Sequence, residues 1–566
     1  MVIAIQFHAD TSVKGFPMTQ EHKPDQYAGA PNAPFGEDGH PKRWAILGVL
    51  VVSLLIVVLD NTVLNIALPT IQRDLGATQS QLLWAVDSYQ LVFAALLFTW
   101  GVLGDTYGRK KILIIGLAIF MFASAACSFA SSPNQLIWLR AIMGIGGAAV
   151  TPVTLAIITV VFPPRERGKA IGAWAAAVGA AVALGPIIGG LLLENPSWTN
   201  GLTGNDWGSV FLINVPIVII GIIGIVRIVP ETKNPHPQRL DIPGLLISIS
   251  GLVALVYGII HAGVIHSFSD KSVLGPFFLG LGLLALFVFL EKRSDHKSFD
   301  VTLFANRPYA VSLVAVSLAF FALSGITFTL PFYLQIIRDF STLSAGLAFV
   351  PFALGQIIAA PRSSKMVARF GNRNVMTFGL VLVGLALTGM TQLRENTPIW
   401  AALLAFFAFG AGMGNVIAPA STVMQNALPM GRAGSGSAVQ NTVRQVFGAL
   451  GVATLGTILA TTYASNLAPT LASIPNIPDQ VKEGLRSTVS AVPKFLEVAQ
   501  MKGLPADKAE AFRTQAFAAF TDASHKVATI SATIVFLVAL VVLTQLPKNM
   551  GKAESTESSA APVISE

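Results

Sequence analysis

Apolar stretches of about 20 residues recur along the chain, each bounded by a short turn carrying glycine, proline or charge. A helix of that length crosses roughly 30 Å of hydrocarbon. The pattern predicts fourteen spans, at 44–67, 81–103, 111–130, 134–162, 169–193, 208–229, 242–263, 274–291, 309–333, 343–367, 374–392, 398–423, 437–463 and 524–546. Residues 1–42 depart from it. They are polar, contain Pro24, Pro31, Pro34 and Pro41, and read as a disordered arm in which Met18 is an alternative start to Met1. They hold no continuous apolar core of the kind a cleaved signal peptide needs. The tail 547–566, rich in Ser, Ala and Glu, also reads as disordered.

Charge gives the spans a direction. The turns after spans 2, 4, 6, 8 and 10 carry Arg109, Lys110 and Lys111; Arg165, Arg167 and Lys169; Arg227, Lys233 and Arg239; Lys292, Arg293, Lys297 and Arg307; and Arg362, Lys365, Arg369 and Arg373. The short loops on the other side carry only Arg73, Lys271, Arg338 and Arg394. By the positive-inside rule both termini are cytoplasmic and the number of spans is even. Residues 464–523 then form one long external loop. Within it, 478–500 and 505–520 read as short amphipathic helices of a solvated connector, with a lid as the other reading.

Composition agrees with this picture. The 566 residues are 53% hydrophobic and only 12% charged, and a soluble domain could not hide so much apolar surface. The class is an all-α polytopic membrane protein. The net charge of +8 resides in alternate loops and gives no reason to expect a nucleic-acid partner. The single cysteine, Cys127, excludes a disulfide within the chain and a thiolate metal cluster, and reads as a packing residue.

A weak repeat divides the chain. The turn Gly101-Val-Leu-Gly104-Asp105-Thr106-Tyr-Gly108-Arg109-Lys-Lys111 has a degraded second copy at Pro361–Arg373, where Ala368 stands in place of the acid. The spacing predicts a six-helix bundle at 43–230, two inserted helices with linkers at 231–307, and a second six-helix bundle at 308–546 that includes the long loop. Parallel halves flanking a midplane site are a transporter pattern.

Several polar residues interrupt the spans. Asp60 in span 1 stands about 16 residues, or about 24 Å, from the basic end. A carboxylate inside a span costs roughly 2.5–3.5 kcal/mol on insertion scales, so Asp60 is either functional or placed in the external headgroup layer. Arg140 in span 4 lies at a similar depth and either pairs or snorkels outward. Span 5 carries Gly185, Pro186, Gly189 and Gly190, which allow close helix approach and bend the helix. Asp87 and Tyr89 in span 2, Asn61 in span 1, and Asn441 and Arg444 in span 13 are candidate cavity residues. Asp87 is also readable as a water-exposed helix end, and the span 13 group as an inter-helix clamp. In the turn at 101–111, Gly101, Gly104 and Gly108 permit a tight reversal, Asp105 is placed to cap a helix, and Arg109 anchors the basic side.

These motifs resemble those of the major facilitator superfamily. Gly101–Lys111 resembles motif A, with Thr106 where the family usually carries a basic residue. Arg140 within Leu139–Gly147 resembles motif B, and Gly185-Pro186-Ile-Ile-Gly189-Gly190 resembles motif C. The stretch Leu59–Pro69 resembles the first-span signature of the fourteen-helix drug:proton antiporters, the QacA/EmrB type. The resemblance implies two six-helix bundles with two inserted helices, in the cell membrane. It implies export of hydrophobic, often cationic, drugs against protons, with Asp60 and Arg140 in proton coupling. The turn at 101–111 would latch the cytoplasmic side, and motif C marks antiport. No cofactor or metal is expected, the proton gradient supplies the energy, and the protein is expected to be a monomer among membrane lipids. One alternative is a proton-coupled carrier of an endogenous metabolite, lipid or siderophore, since fold does not fix substrate. Another is a non-transporting receptor or enzyme. No P-loop and no His-Glu-x-x-His occurs to support ATP-driven pumping or metal chemistry.

Overall fold

The computed structural model describes residues 35, 38–234, 241–265, 267–293, 301–427, 433–472, 478–501 and 504–547. Residues 1–34, with the choice between Met1 and Met18, and the tail from 548 lie outside this set. The first half runs α1 (Arg43–Leu75), α2 (Gln79–Tyr107), α3 (Arg109–Cys127), α4 (Pro133–Gly147), α5 (Val150–Val161), α6 (Pro164–Glu194), α7 (Asn200–Thr203), α8 (Ser209–Leu212) and α9 (Asn214–Ile228). Next come α10 (Ile242–Ile265) and α11 (Lys271–Arg293). The second half runs α12 (Arg307–Phe332), α13 (Thr342–Leu347), α14 (Val350–Met390), α15 (Ile399–Asn426), α16 (Ala433–Ala472), α17 (Asp479–Ser487), α18 (Ala491–Met501) and α19 (Ala506–Gln545).

Local chemistry sets the helix ends. Thr78 starts α2 with a capping box, accepting from the Gln81 amide at 3.2 Å while Gln81 Oε1 accepts from the Thr78 amide at 3.0 Å. Ser132 caps α4 ahead of Pro133, whose missing N–H costs nothing in the first turn. Gly76 ends α1 at φ 61, a left-handed cap that glycine adopts without strain.

Twelve helical segments among the described residues are long and apolar enough to cross a bilayer. Two expected spans are not counted separately among them. Span 169–193 lies in α6, and spans 343–367 and 374–392 run together at 342–390, broken inside α14 at Gly371 (φ 80, ψ 158). The helices α1–α9 pack together, as do α12–α16 with α19, while α10 and α11 form a hairpin that leans on α2 and α16 through α10. Gly280 makes that hairpin tight, because a Cβ there would lie 2.5 Å from the Leu255 nitrogen. The far face of α11 exposes Phe278, Leu279 and Phe289, as a lipid-facing surface requires.

The expected loop 464–523 is largely helix. The α16 helix continues to Ala472, and α19 begins at Ala506, so 505–520 is the start of the last span rather than a separate helix. Neither proline nor glycine interrupts 506–545, and Phe512, Phe517 and Phe520 are buried, so nothing ends the helix at the membrane surface. Between these extensions, 478–500 divides into α17 and α18, with Leu485, Val489 and Val492 buried. This segment is packed against the bundles, not a solvated connector.

Candidate functional site

The deepest polar cluster lies inside the first bundle. Asp60 on α1 and Arg140 on α4 are both buried, and Arg140 Nη1 donates to Asp60 Oδ2. Asn214, at the start of α9, donates from Nδ2 to Asp60 Oδ1 at 3.0 Å, and its amide also lies 2.9 Å from Ser124 Oγ. Ser124 donates to the Phe211 carbonyl at 2.8 Å. The guanidinium sits 4.3 Å from the Tyr89 ring centroid, and its Nε donates to the Ala85 carbonyl at 3.3 Å. Burial of both partners overturns the headgroup reading of Asp60 and the snorkelling reading of Arg140. Five helices thus converge on one ion pair, in which both carboxylate oxygens of Asp60 are engaged while Arg140 Nη2 has no hydrogen-bond partner among the described residues.

Tyr89 belongs to this cluster. It is fully buried, stacked on Phe93 at 5.7 Å, and its hydroxyl would lie 2.7 Å from a Cβ on Gly147. Asp87 lies on the same helix. It is fully buried, and neither carboxylate oxygen has a hydrogen-bond partner among the described residues. Its neighbours on the same face of α2 place it at the seam with α16, since Leu83 abuts Gly456 and Gln90 abuts Gly448. Asn61, next to Asp60, is half-buried and makes no hydrogen bond among the described residues. Asn441 and Arg444 are half-buried on α16, on a stretch from Gln440 to Phe447 in which every residue keeps some exposure.

The turn at 101–111 is held from an unexpected direction. Gly104 lets α2 approach Val153 of α5, and Gly101 lies over Pro152. Gly108 takes φ 117, and the Glu231 carboxylate occupies the space where a side chain would be, 2.7 Å from its Cβ position. Glu231 accepts from the amides of Lys110 at 3.0 Å and Lys111 at 3.2 Å, so it caps α3 where Asp105 was expected to cap a helix. Asp105 instead accepts from Arg109 Nε at 2.9 Å and Nη2 at 2.8 Å, and Asn234 donates to it. All these partners lie in the first half of the chain. Nearby, Arg43 Nε donates to Glu166 at 2.7 Å, and this bond holds the Glu166 carboxyl below its ordinary range.

The two halves meet at the opposite end. Gly185 and Gly189 of α6 press on α1, where Cβ atoms would lie 1.8 Å from Thr62 Oγ1 and 3.2 Å from Val63 Cγ1. One face further round, Gly190 would meet the Thr342 carbonyl at 2.5 Å, and a Cβ on Gly346 would meet the Pro186 carbonyl oxygen at 2.1 Å. The motif glycines therefore let α6 wedge between α1 and α13. Glu194 accepts from the Leu343 amide at 3.3 Å, Gln335 donates to the Ile66 carbonyl at 2.9 Å, and Thr488 donates to Gln72 at 2.6 Å. Asn214, Ser124, Glu231, Glu194 and Gln335 were not singled out from the sequence, because neutral amides and interface acids carry no distinctive pattern.

Two helical bundles closed against each other at one end, with a buried ion pair in one of them, define a multi-pass membrane carrier and not an enzyme. The family model of the Major Facilitator Superfamily matches residues 50–452, and the chain belongs to that superfamily. It is 33% identical over 502 residues to the multidrug efflux pump LfrA of Mycolicibacterium smegmatis, covering 88% of this chain and 96% of that protein. It is 31% identical over 446 residues to the tetracenomycin C resistance and export protein of Streptomyces glaucescens, covering 78% of this chain and 80% of that one. Among solved structures, an inward-facing bacterial homologue of the human lysosomal transporter Spinster superposes with a TM-score of 0.61 at 16% identity. It covers 89% of this chain and 98% of its own. At that identity the likeness concerns the fold alone.

Proposed function

We propose that the protein is a proton-coupled antiporter that exports hydrophobic drugs, cations among them, across the cell membrane by alternating access. It does so as a chain of fourteen passes with both termini in the cytoplasm. The observation that carries this reading is the buried Asp60–Arg140–Asn214 cluster, which supports a carboxylate whose protonation breaks an ion pair and so favours a different packing of the first bundle. The export function of the relatives and the clustering of basic residues at one end support the direction. The proton gradient is the energy source, and each net charge crossing 100 mV yields about 2.3 kcal/mol. No bound cofactor takes part, and a monomer suffices.

Collapsing the proton gradient with an ionophore is expected to raise dye accumulation in expressing cells to the level of cells lacking the gene. Accumulation that stays low after collapse would remove proton coupling from the account.

The Arg43–Glu166 pair allows a narrower test. Its hydrogen bond lowers the Glu166 carboxyl below the ordinary 4.5. The pair therefore contributes above that value and loses its contribution only as pH falls through the lowered one. Glu166→Gln should leave the pH profile of export near neutrality unchanged, and a shifted profile would place a coupling proton at this pair.

A further inference from the structure

Arg444 is a charge with no counter-charge. Its Nε is sealed from solvent, and the guanidinium has no hydrogen-bond or ion-pair partner among the described residues. One face lies 4.9 Å from the Phe320 ring centroid of α12. The sequence around it supplies nothing of opposite sign, for α12, α14, α15 and α16 contain no aspartate or glutamate. The inserted helix α10, which packs on α16, contains none either. Helix α19 runs antiparallel to α16, with Tyr463 against Phe520, so the residues level with Arg444 fall near Val538–Leu540. On α2, Asp105 is engaged by Arg109. Asp87 lies level with the stretch between Gly448 and Gly456, one to two turns beyond Arg444, and touches no donor.

The place is a meeting point of both halves. One turn beyond Arg444, a Cβ on Gly448 would lie 3.2 Å from Ser324 Oγ of α12 and 3.3 Å from Gln90 Oε1 of α2. Beyond this point α16 is closely packed, with Val452, Ala453 and Leu455 buried. Below it, Gln440 to Phe447 stay partly exposed. A buried guanidinium donor left unpaired is costly, and in native proteins such groups are satisfied by a protein group, water or a ligand.

We propose that Arg444 and Phe320 form a subsite for the anionic group of an amphiphilic aromatic substrate, a planar ring system bearing a carboxylate, sulfonate or phenolate. The guanidinium fork offers charge-assisted hydrogen bonds to that group, and Phe320 holds the fork in one plane. This rests on the export reading and extends its substrates from neutral and cationic compounds to anions and zwitterions.

The test compares fluorescein, an anion at neutral pH, with the cation ethidium. Binding of each dye is measured on the purified full chain in lipid discs, and its gradient-driven flux in vesicles. Arg444→Gln is expected to weaken fluorescein binding about tenfold or more and ethidium binding less than about twofold, with Arg444→Lys intermediate for fluorescein. Should Arg444→Gln not fold, Phe320→Leu keeps the charge and removes the ring, and a selective loss of fluorescein affinity is again expected. Parallel losses for both dyes, or a wild-type protein that does not bind fluorescein, would overturn the proposal. Fluorescein binding that depends on Arg444, without driven flux of either dye, would sustain the subsite and overturn the export reading instead.

Discussion

Arg140→Ala should destabilise the protein by about 3–5 kcal/mol and abolish coupled export, because it leaves the Asp60 carboxylate buried without its cation. The size of the effect follows from the surroundings. Asp60 Oδ1 keeps only the Asn214 amide, and the side chain is 1% exposed. Asp60→Asn makes the reverse change. It should preserve the shape of the site, leave Arg140 over the Tyr89 ring, and abolish uphill efflux. The double variant Asp60→Asn with Arg140→Met removes both charges and should recover much of the stability lost in Arg140→Ala, with no recovery of export. Thermal unfolding in detergent and uphill dye efflux in vesicles check the two halves of this expectation separately. Wild-type coupling in Asp60→Asn would take that carboxylate out of the mechanism. Strictly additive stabilities across the cycle of Asp60→Asn, Arg140→Met and the double variant would mean the pair does not interact.

That pair was legible because a charge inside an apolar run is expensive and therefore conspicuous. Its third member was not. A neutral amide such as Asn214 at a helix start has many commonplace roles, and only the fold brings α9 to α1 and α3. Asp87 and Tyr89 show what helical geometry adds. Two residues apart on a helix, they point about 200° apart and meet different neighbours. Tyr89 turns to α4 and Asp87 to α16. The turn at 101–111 was located by its glycines, but its cap comes from Glu231, more than a hundred residues away, and no local pattern announces that contact. The loop 464–523 was misread because hydropathy marks where lipid begins, not where a helix stops. The Ala- and Phe-rich start of α19 is too polar to count as a span and is still continuous with one. The basic residues of alternate turns needed no fold at all, since their asymmetry is a property of the sequence.

Gly346→Val should unseat the closed end and leave the carrier open on the side away from the basic loops. At this crossing the obstacle is backbone. A Cβ on Gly346 would lie 2.1 Å from the Pro186 carbonyl oxygen and 2.8 Å from its carbon, and α6 has no side chain there that could turn aside. Gly190 has the same relation to Thr342 and Leu343, so the two helices approach through reciprocal glycines. Overpacking of this kind costs about 1–3 kcal/mol in closely packed interiors. Applied to one conformation of a two-state carrier, the same energy shifts the populations about 5- to 150-fold. Nothing of that cost falls on the opened state, in which α13 has left α6, so stability should change little while the balance between states changes a great deal. A reporter cysteine at Leu343, half-buried against Gly190 at this crossing, tests this directly, because the only natural cysteine, Cys127, is itself buried and gives little background. An impermeant thiol reagent added outside should label Leu343→Cys at least about tenfold faster in the Gly346→Val protein than in its parent, with Gly346→Ala in between, and export should fall in the same order. If labelling does not change while export persists, the seal at α6 and α13 is not the element that alternates, and the moving contact must be sought at Gln335 and Ile66 or at Thr488 and Gln72.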